Sequence, residues 1–167
     1  LSSNTIGSEN TAVGYQSLLT NSLAMRNTAV GYQSLLSQNG GGGRNTVVGY
    51  QTAFVGSDID DIVAIGYQAL KNTSQSNLTA VGSGALEANT TGSFNTAVGY
   101  QSMNIGTTGS NNTAVGYRAM LNNAGTNNSA FGSLALDALT TGINNTAVGG
   151  STLTRNTEGS NNIAIGN

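Results

Sequence analysis

The ten residues Asn-Thr-Ala-Val-Gly-Tyr-Gln-Ser-Leu-Leu stand at 10–19 and again, unchanged, at 27–36. Paraphrases of this phrase continue to the end of the chain. Taking the Gly of Ala-Val-Gly as the anchor, it recurs at Gly14, Gly31, Gly49, Gly66, Gly82, Gly99, Gly116, Gly132, Gly149 and Gly166. The successive intervals are 17, 18, 17, 16, 17, 17, 16, 17 and 17 residues. A fixed period of this kind marks a repeat architecture, in which each unit stacks on the next to bury a shared core. The shorter phrase Asn-Thr-Ile-Gly-Ser at 4–8 reads as a truncated echo of the same unit.

Columns within the repeat carry the physics. One residue before the anchor stands Val or Ile in every unit except Phe131, and three before it stands Thr in seven of ten. Side chains on a strand alternate between faces, so these two positions share one face. Exchange of Thr with Val63 and Ile163 points that face inward. Between them lies Ala, nine times out of ten, beside the invariant Gly. This small-residue strip is expected to admit another layer of backbone, from a neighbouring chain. Four residues past the anchor runs a second apolar column: Leu18, Leu35, Ala53, Leu70, Leu86, Met103, Met120, Leu136 and Leu153. It closes the core from the opposite side, as a short strand or turn. Asn precedes the anchor by four residues in eight of ten units, placed to bond local backbone or to stack its amide from coil to coil. The linkers, such as Thr-Thr-Gly-Ser-Asn-Asn at 107–112, are turn-forming.

No helical periodicity competes with this pattern. The expected fold is all-β, a single parallel β-solenoid domain over 1–167 of about ten coils. With coils stacked about 4.8 Å apart, the rod is about 45–50 Å long. Each coil offers few large apolar side chains against the entropy of ordering its backbone, so one rod alone is marginal and packing with further copies is expected.

Composition narrows the function. The 167 residues include no Cys, His, Pro or Trp, and 7% are charged, for a net charge of −2. Disulfides, thiolate metal sites and imidazole chemistry are excluded. There is no basic stripe for nucleic acid, and no apolar run approaches the roughly 20 residues of a membrane helix. No secretory signal is visible. The start at Leu1 and the stop at Ile-Gly-Asn point to a piece of something longer. No catalytic residues stand out, nothing calls for a cofactor, and an enzyme is not expected. Hexapeptide acyltransferases use coils of similar length, but the hexad spacing fails on the other sides of the coil.

The six Tyr fall in one column just after the anchor: Tyr15, Tyr32, Tyr50, Tyr67, Tyr100 and Tyr117. Gln follows five of them. They form either a ligand-contact ladder for a glycan or a structural stack along the coil edge. The run Gly-Ser-Asp-Ile-Asp-Asp at 56–61 makes Asp58, Asp60 and Asp61 weak candidates for a Ca²⁺ site, with a solvated turn as the plainer reading. The run Gly-Gly-Gly-Gly-Arg at 40–44 lacks the Lys-Ser/Thr partner and the following helix of a phosphate loop, and reads as a flexible insertion in the one 18-residue interval. The Thr column invites comparison with ice-binding solenoids, a reading set aside while that column is taken as buried.

Asn-Thr-Ala-Val-Gly resembles the Asn-Ser-Val-Ala-Ile-Gly repeat in the YadA-like heads of trimeric autotransporter adhesins. The nearest spellings are Ile62-Val63-Ala64-Ile65-Gly66 and Asn162-Ile163-Ala164-Ile165-Gly166. The fuller phrase through Tyr-Gln-Ser-Leu is also similar to repeats of bacteriophage tail-fibre proteins, many of which end in a self-cleaving trimerisation chaperone. The resemblance covers essentially the whole chain. It implies a left-handed β-roll in a homotrimer, a shaft or head of an extracellular virion fibre or bacterial surface adhesin. The implied partners are further copies of the chain and a host-surface glycan or protein. The period is longer than that of the adhesin heads, which implies longer turns.

Overall fold

In a computed structural model, residues 3–38, 40–56, 58–106 and 108–167 are described. Among them there is no helix. Ten three-residue strands, one per repeat, form a single parallel sheet in chain order. They are β1 (Thr11–Val13), β2 (Thr28–Val30), β3 (Thr46–Val48), β4 (Val63–Ile65), β5 (Thr79–Val81), β6 (Thr96–Val98), β7 (Thr113–Val115), β8 (Ser129–Phe131), β9 (Thr146–Val148) and β10 (Ile163–Ile165). Every pairing is in register, Ala12 with Ala29 and Ala97 with Ala114, so like stacks on like from end to end. The chain is a β-solenoid. Nine strand spacings of about 4.8 Å make the sheet about 43 Å long.

The strand faces are the reverse of the sequence expectation. The central residue of each strand points inward: Ala29, Val47, Ala64, Ala80, Ala97, Ala114, Ala130 and Ala147 are all fully buried. Thr and Val point outward, half-buried or exposed in every strand. Thickness is the reason. The facing wall projects Leu18, Leu35, Leu70, Leu86, Met103, Met120 or Leu136 across the interior, fully or almost fully buried; in the coil of Val47 the residue there is Ala53. Opposite so large a side chain, close packing leaves room only for a methyl group. The Ala strip is therefore small because of its own chain, and no neighbour lies against it.

The anchor glycines are explained by the next coil. Each has φ between 121° and 143°, the region that favours glycine. A Cβ on Gly99 would collide with the carbonyl oxygen of Gly116 one coil on, and the same collision recurs along the column.

Beyond the anchor the chain leaves the strand, yet coil-to-coil bonding continues. The Gln33 N–H donates to the Tyr15 carbonyl (2.8 Å), and Leu35 N–H to the Thr52 carbonyl (3.0 Å). The second wall is thus a stack of turns. Among the described residues, all non-glycine residues with positive φ fall in three columns. These lie five before the anchor (Arg26, Asn111), two after it (Gln33, Gln101) and four after it (Leu35, Met120). Such conformations cost of order 1–3 kcal/mol each and persist where surroundings over-determine them. Here the stacked hydrogen bonds do so.

The Asn column four before the anchor runs through the interior as a ladder. Asn112 is buried; its Nδ2 donates to Asn95 Oδ1 (3.2 Å) and to the Gly125 carbonyl (2.9 Å). Its Oδ1 accepts from the Asn128 backbone N–H at 2.8 Å. Both predicted roles, bonding local backbone and stacking amides, are filled by one side chain. A second Asn column lies in the turns and closes an Asn-x-x-Gly bend: Asn4 Nδ2 donates to Gly7 O (2.8 Å), Asn89 to Gly92 O (2.8 Å) and Asn156 to Gly159 O (3.1 Å). Asn-Thr-Ile-Gly-Ser at 4–8 belongs to this column, since Asn21 Nδ2 donates to Asn4 Oδ1 (3.0 Å). It is a turn, not an echo of the strand phrase.

The same turn takes up every change of period. In the two 16-residue intervals it loses a residue, and the closing bond shortens to two residues: Gln75 N–H to Thr73 Oγ1 (3.1 Å) and Gly125 N–H to Asn123 Oδ1 (3.0 Å). In the 18-residue interval Gln38, one methylene longer than Asn, is buried there and reaches the Ile59 carbonyl at 3.0 Å. In the glycine run beside it Gly42 and Gly43 are buried, while Gly41 is exposed with open space around it. Gly43 N–H donates to Asp60 Oδ1 at 2.6 Å, and a Cβ on Gly43 would strike the Met25 carbonyl.

Candidate functional site

Because Ala faces in, the outer face of the sheet is made of the Thr and Val columns, bordered by Tyr after the anchor. Ile65 is 38% exposed and Phe131 42%, both in the middle of the rod. In these three columns there is no Asp, Glu, Lys or Arg from one end of the chain to the other. All charged side chains lie in the turns. The face is about 13 Å wide, four residues at about 3.3 Å, and about 43 Å long, which gives roughly 500–600 Å². That matches the largest apolar patches that monomers usually expose.

The Tyr residues form two stacks. Centroid separations are 5.3 Å for Tyr15–Tyr32, 5.1 Å for Tyr32–Tyr50 and 5.3 Å for Tyr50–Tyr67, with ring planes within 16° of parallel. Tyr100 and Tyr117 form the second stack at 5.6 Å. Within a stack each ring covers its neighbour's face, so the column does not offer six separate platforms. Beside it the Gln side chains make an amide ladder: Gln33 Nε2 donates to Gln16 Oε1 (2.7 Å), Gln51 to Gln33 (3.0 Å) and Gln68 to Gln51 (3.2 Å). Ser83 and Gly84 interrupt both ladders at once, and Ser133 and Gly150 end the Tyr column late in the chain.

The acidic run is a turn with its own partners. Asp61 accepts from Arg44 Nε and Nη2 at 2.6 and 2.8 Å. That hydrogen-bonded guanidinium holds the Asp61 carboxyl below its ordinary range. Asp60 accepts from Gly43, Asp58 is exposed, and Ile59 between them is core. Ser57 lies outside the described residues. Among the described residues, no three acidic side chains gather as a metal site would need. Nor does any enclosed cavity form, or any helix long and apolar enough to cross a membrane.

Sequence reasoning missed the outward sense of Thr and Val, the three positive-φ columns and the turn Asn column. Only the last two left a trace, in the Asn residues at 77, 111, 127, 144 and 161 and in the recurring Asn-Thr-x-Gly phrase. No known protein family, curated protein or solved structure matches the chain.

Proposed function

We propose that this chain is a rigid segment, shaft or head, of a homotrimeric extracellular fibre such as a phage tail fibre or a bacterial surface adhesin. Its work is mechanical: it holds a surface-binding tip away from the particle or cell that carries it. The observation that carries this reading is the uncharged outer face of the sheet. Parallel sheets normally have both faces covered, and depletion of charge marks the core of an interface. A strip of roughly 500–600 Å² approaches the ~800 Å² that each partner of a standard interface contributes. Association runs through Thr and Val, not through the Ala and Gly strip that the sequence first suggested. That the copies number three, and that the fibre is extracellular, rests on the resemblance to adhesin and tail-fibre repeats.

Size-exclusion chromatography with light scattering tests it. The chain of 16.8 kDa should elute at three times its mass. A variant with Val48→Lys, Val81→Lys and Val98→Lys should elute as a folded monomer. A stable wild-type monomer at micromolar concentration overturns the proposal.

One observation favours a second reading. The outward Thr and Val columns make a flat grid of hydroxyls and methyls, about 4.8 Å by about 6.6 Å, of the kind that ice-binding solenoids present. Such a surface needs Thr to face out, and Thr is half-buried or exposed in every strand that carries it. Thermal hysteresis on a cooling stage separates the two: a monomer with hysteresis lost on Thr96→Tyr and Thr113→Tyr supports ice binding, and a trimer without it supports the fibre.

A further inference from the structure

The interruption at Ser83 and Gly84 leaves a gap one coil high in a Tyr border that otherwise runs unbroken from Tyr15 to Tyr117. Tyr67 closes the gap on one side and Tyr100 on the other. Each is stacked on its far face, by Tyr50 and Tyr117, and bare on the face toward Ser83. Their exposures of 54% and 50%, against 41% and 43% for Tyr32 and Tyr50 inside the stack, reflect those uncovered faces. Two coil spacings put the rings about 10 Å apart.

The inner end of the gap is polar. The space a Cβ on Gly84 would enter is bounded by Asn104 Nδ2, Glu87 Oε2 and Gln101 Cγ, at 2.9, 3.4 and 3.5 Å. Asn104 is fixed there, donating to the Gly84 carbonyl (2.8 Å) and to Glu87 Oε2 (3.0 Å). Gln68 spends its amide N–H on Gln51, which leaves its Oε1 as an acceptor toward the gap.

We infer that this slot binds one neutral pyranose unit of a saccharide between the Tyr67 and Tyr100 rings. Aliphatic C–H groups on both faces of a sugar ring meet the negative faces of two aromatic rings. Contacts of about 3.5–4.0 Å on each side take up 7–8 Å of the ~10 Å opening. A puckered ring with axial hydrogens fills the remainder better than a flat one, which reaches one wall only. Hydroxyls at the ring edge then face Gln101, Glu87 and the Ser83 hydroxyl. The Glu87 carboxylate disfavours phosphorylated or acidic ligands. The inference rests on the copies packing through the Thr and Val columns, which leaves the Tyr border at the rim and open to solvent.

Saturation-transfer NMR with a panel of methyl hexopyranosides tests it, using the folded chain in its natural assembly. In an open slot a ligand of this size is expected to bind with Kd of about 1–10 mM. The double substitution Ser83→Tyr with Gly84→Gln restores the repeat's own phrase. Gly84 has φ 67° and the Gln residues of its column sit at 48–55°, so Gln fits that backbone once the Asn104 amide, 2.9 Å from the new Cβ, swings aside. It should weaken binding at least tenfold while its melting curve stays cooperative. Tyr100→Ala should weaken it too, and Tyr15→Ala, at the far end of the stack, should not. No saturation by any neutral pyranoside at its solubility limit overturns the inference. So does undiminished binding in the filled variant, or tighter binding of a flat nucleoside than of every sugar.

Discussion

Replacing Asn112 by Ala removes three hydrogen bonds from the middle of the internal ladder. The Asn128 N–H loses its acceptor (2.8 Å), while the Gly125 carbonyl keeps the Asn123 amide as a donor (3.2 Å) and Asn95 Oδ1 keeps the Asn112 backbone N–H (2.9 Å). Asn112 and Asn128 are both buried, so water does not compensate at the native geometry. Leaving one buried donor unsatisfied puts the loss at about 1–3 kcal/mol. The adjacent Thr113→Ala alters an outward side chain and should cost no more than about 0.5 kcal/mol. Urea unfolding followed by circular dichroism measures both. Hydrogen exchange at Asn128 checks that the damage is local, because a solenoid can open coil by coil. A loss below about 1 kcal/mol for Asn112→Ala, or one equal to that of Thr113→Ala, refutes the ladder as a stabilising element.

Gly99→Ala should destabilise by about 2–5 kcal/mol, combining a disfavoured φ of 132° with collision against the Gly116 carbonyl; a thermal melt within two degrees of wild type contradicts the anchor's role. For Asp61 the folded pKa lies below its unfolded value, so its contribution to stability is present at neutral pH and is lost as pH falls through the folded value. The difference in melting temperature between wild type and Asp61→Asn should therefore close as pH drops below about 4. A difference that widens there has the wrong sign for the Arg44 pairing.

The period, the anchor Gly, the Leu column and the Asn ladder were legible because each reports a constraint that the next coil repeats. The sense of the strand was not legible. Both of its faces are apolar, Thr and Val on one and Ala on the other, so alternation alone leaves two solutions. Choosing the larger residues for the core is sound where a sheet packs at an ordinary distance. It fails here because Leu18 and its equivalents already span the interior. The positive-φ columns had no signal at Gln33, Leu35 or Met120, since Gln, Leu and Met have no intrinsic preference for that region. Their conformation is imposed by bonds to neighbouring coils. The interrupted Tyr ladder was visible as letters, but only the geometry shows that Tyr67 and Tyr100 keep one bare face each.

The elastic turn has a consequence for how such a rod changes over generations. Because 16, 17 or 18 residues all return the chain to the same strand register, a phrase can be copied, dropped or trimmed without a junction to repair. Near-identical phrases such as 10–19 and 27–36 are also the substrate that slipped replication and recombination need. Length is then a counted quantity, altered in steps of about 4.8 Å per phrase. Such a gene can lengthen or shorten its product one coil at a time and remain foldable at every step.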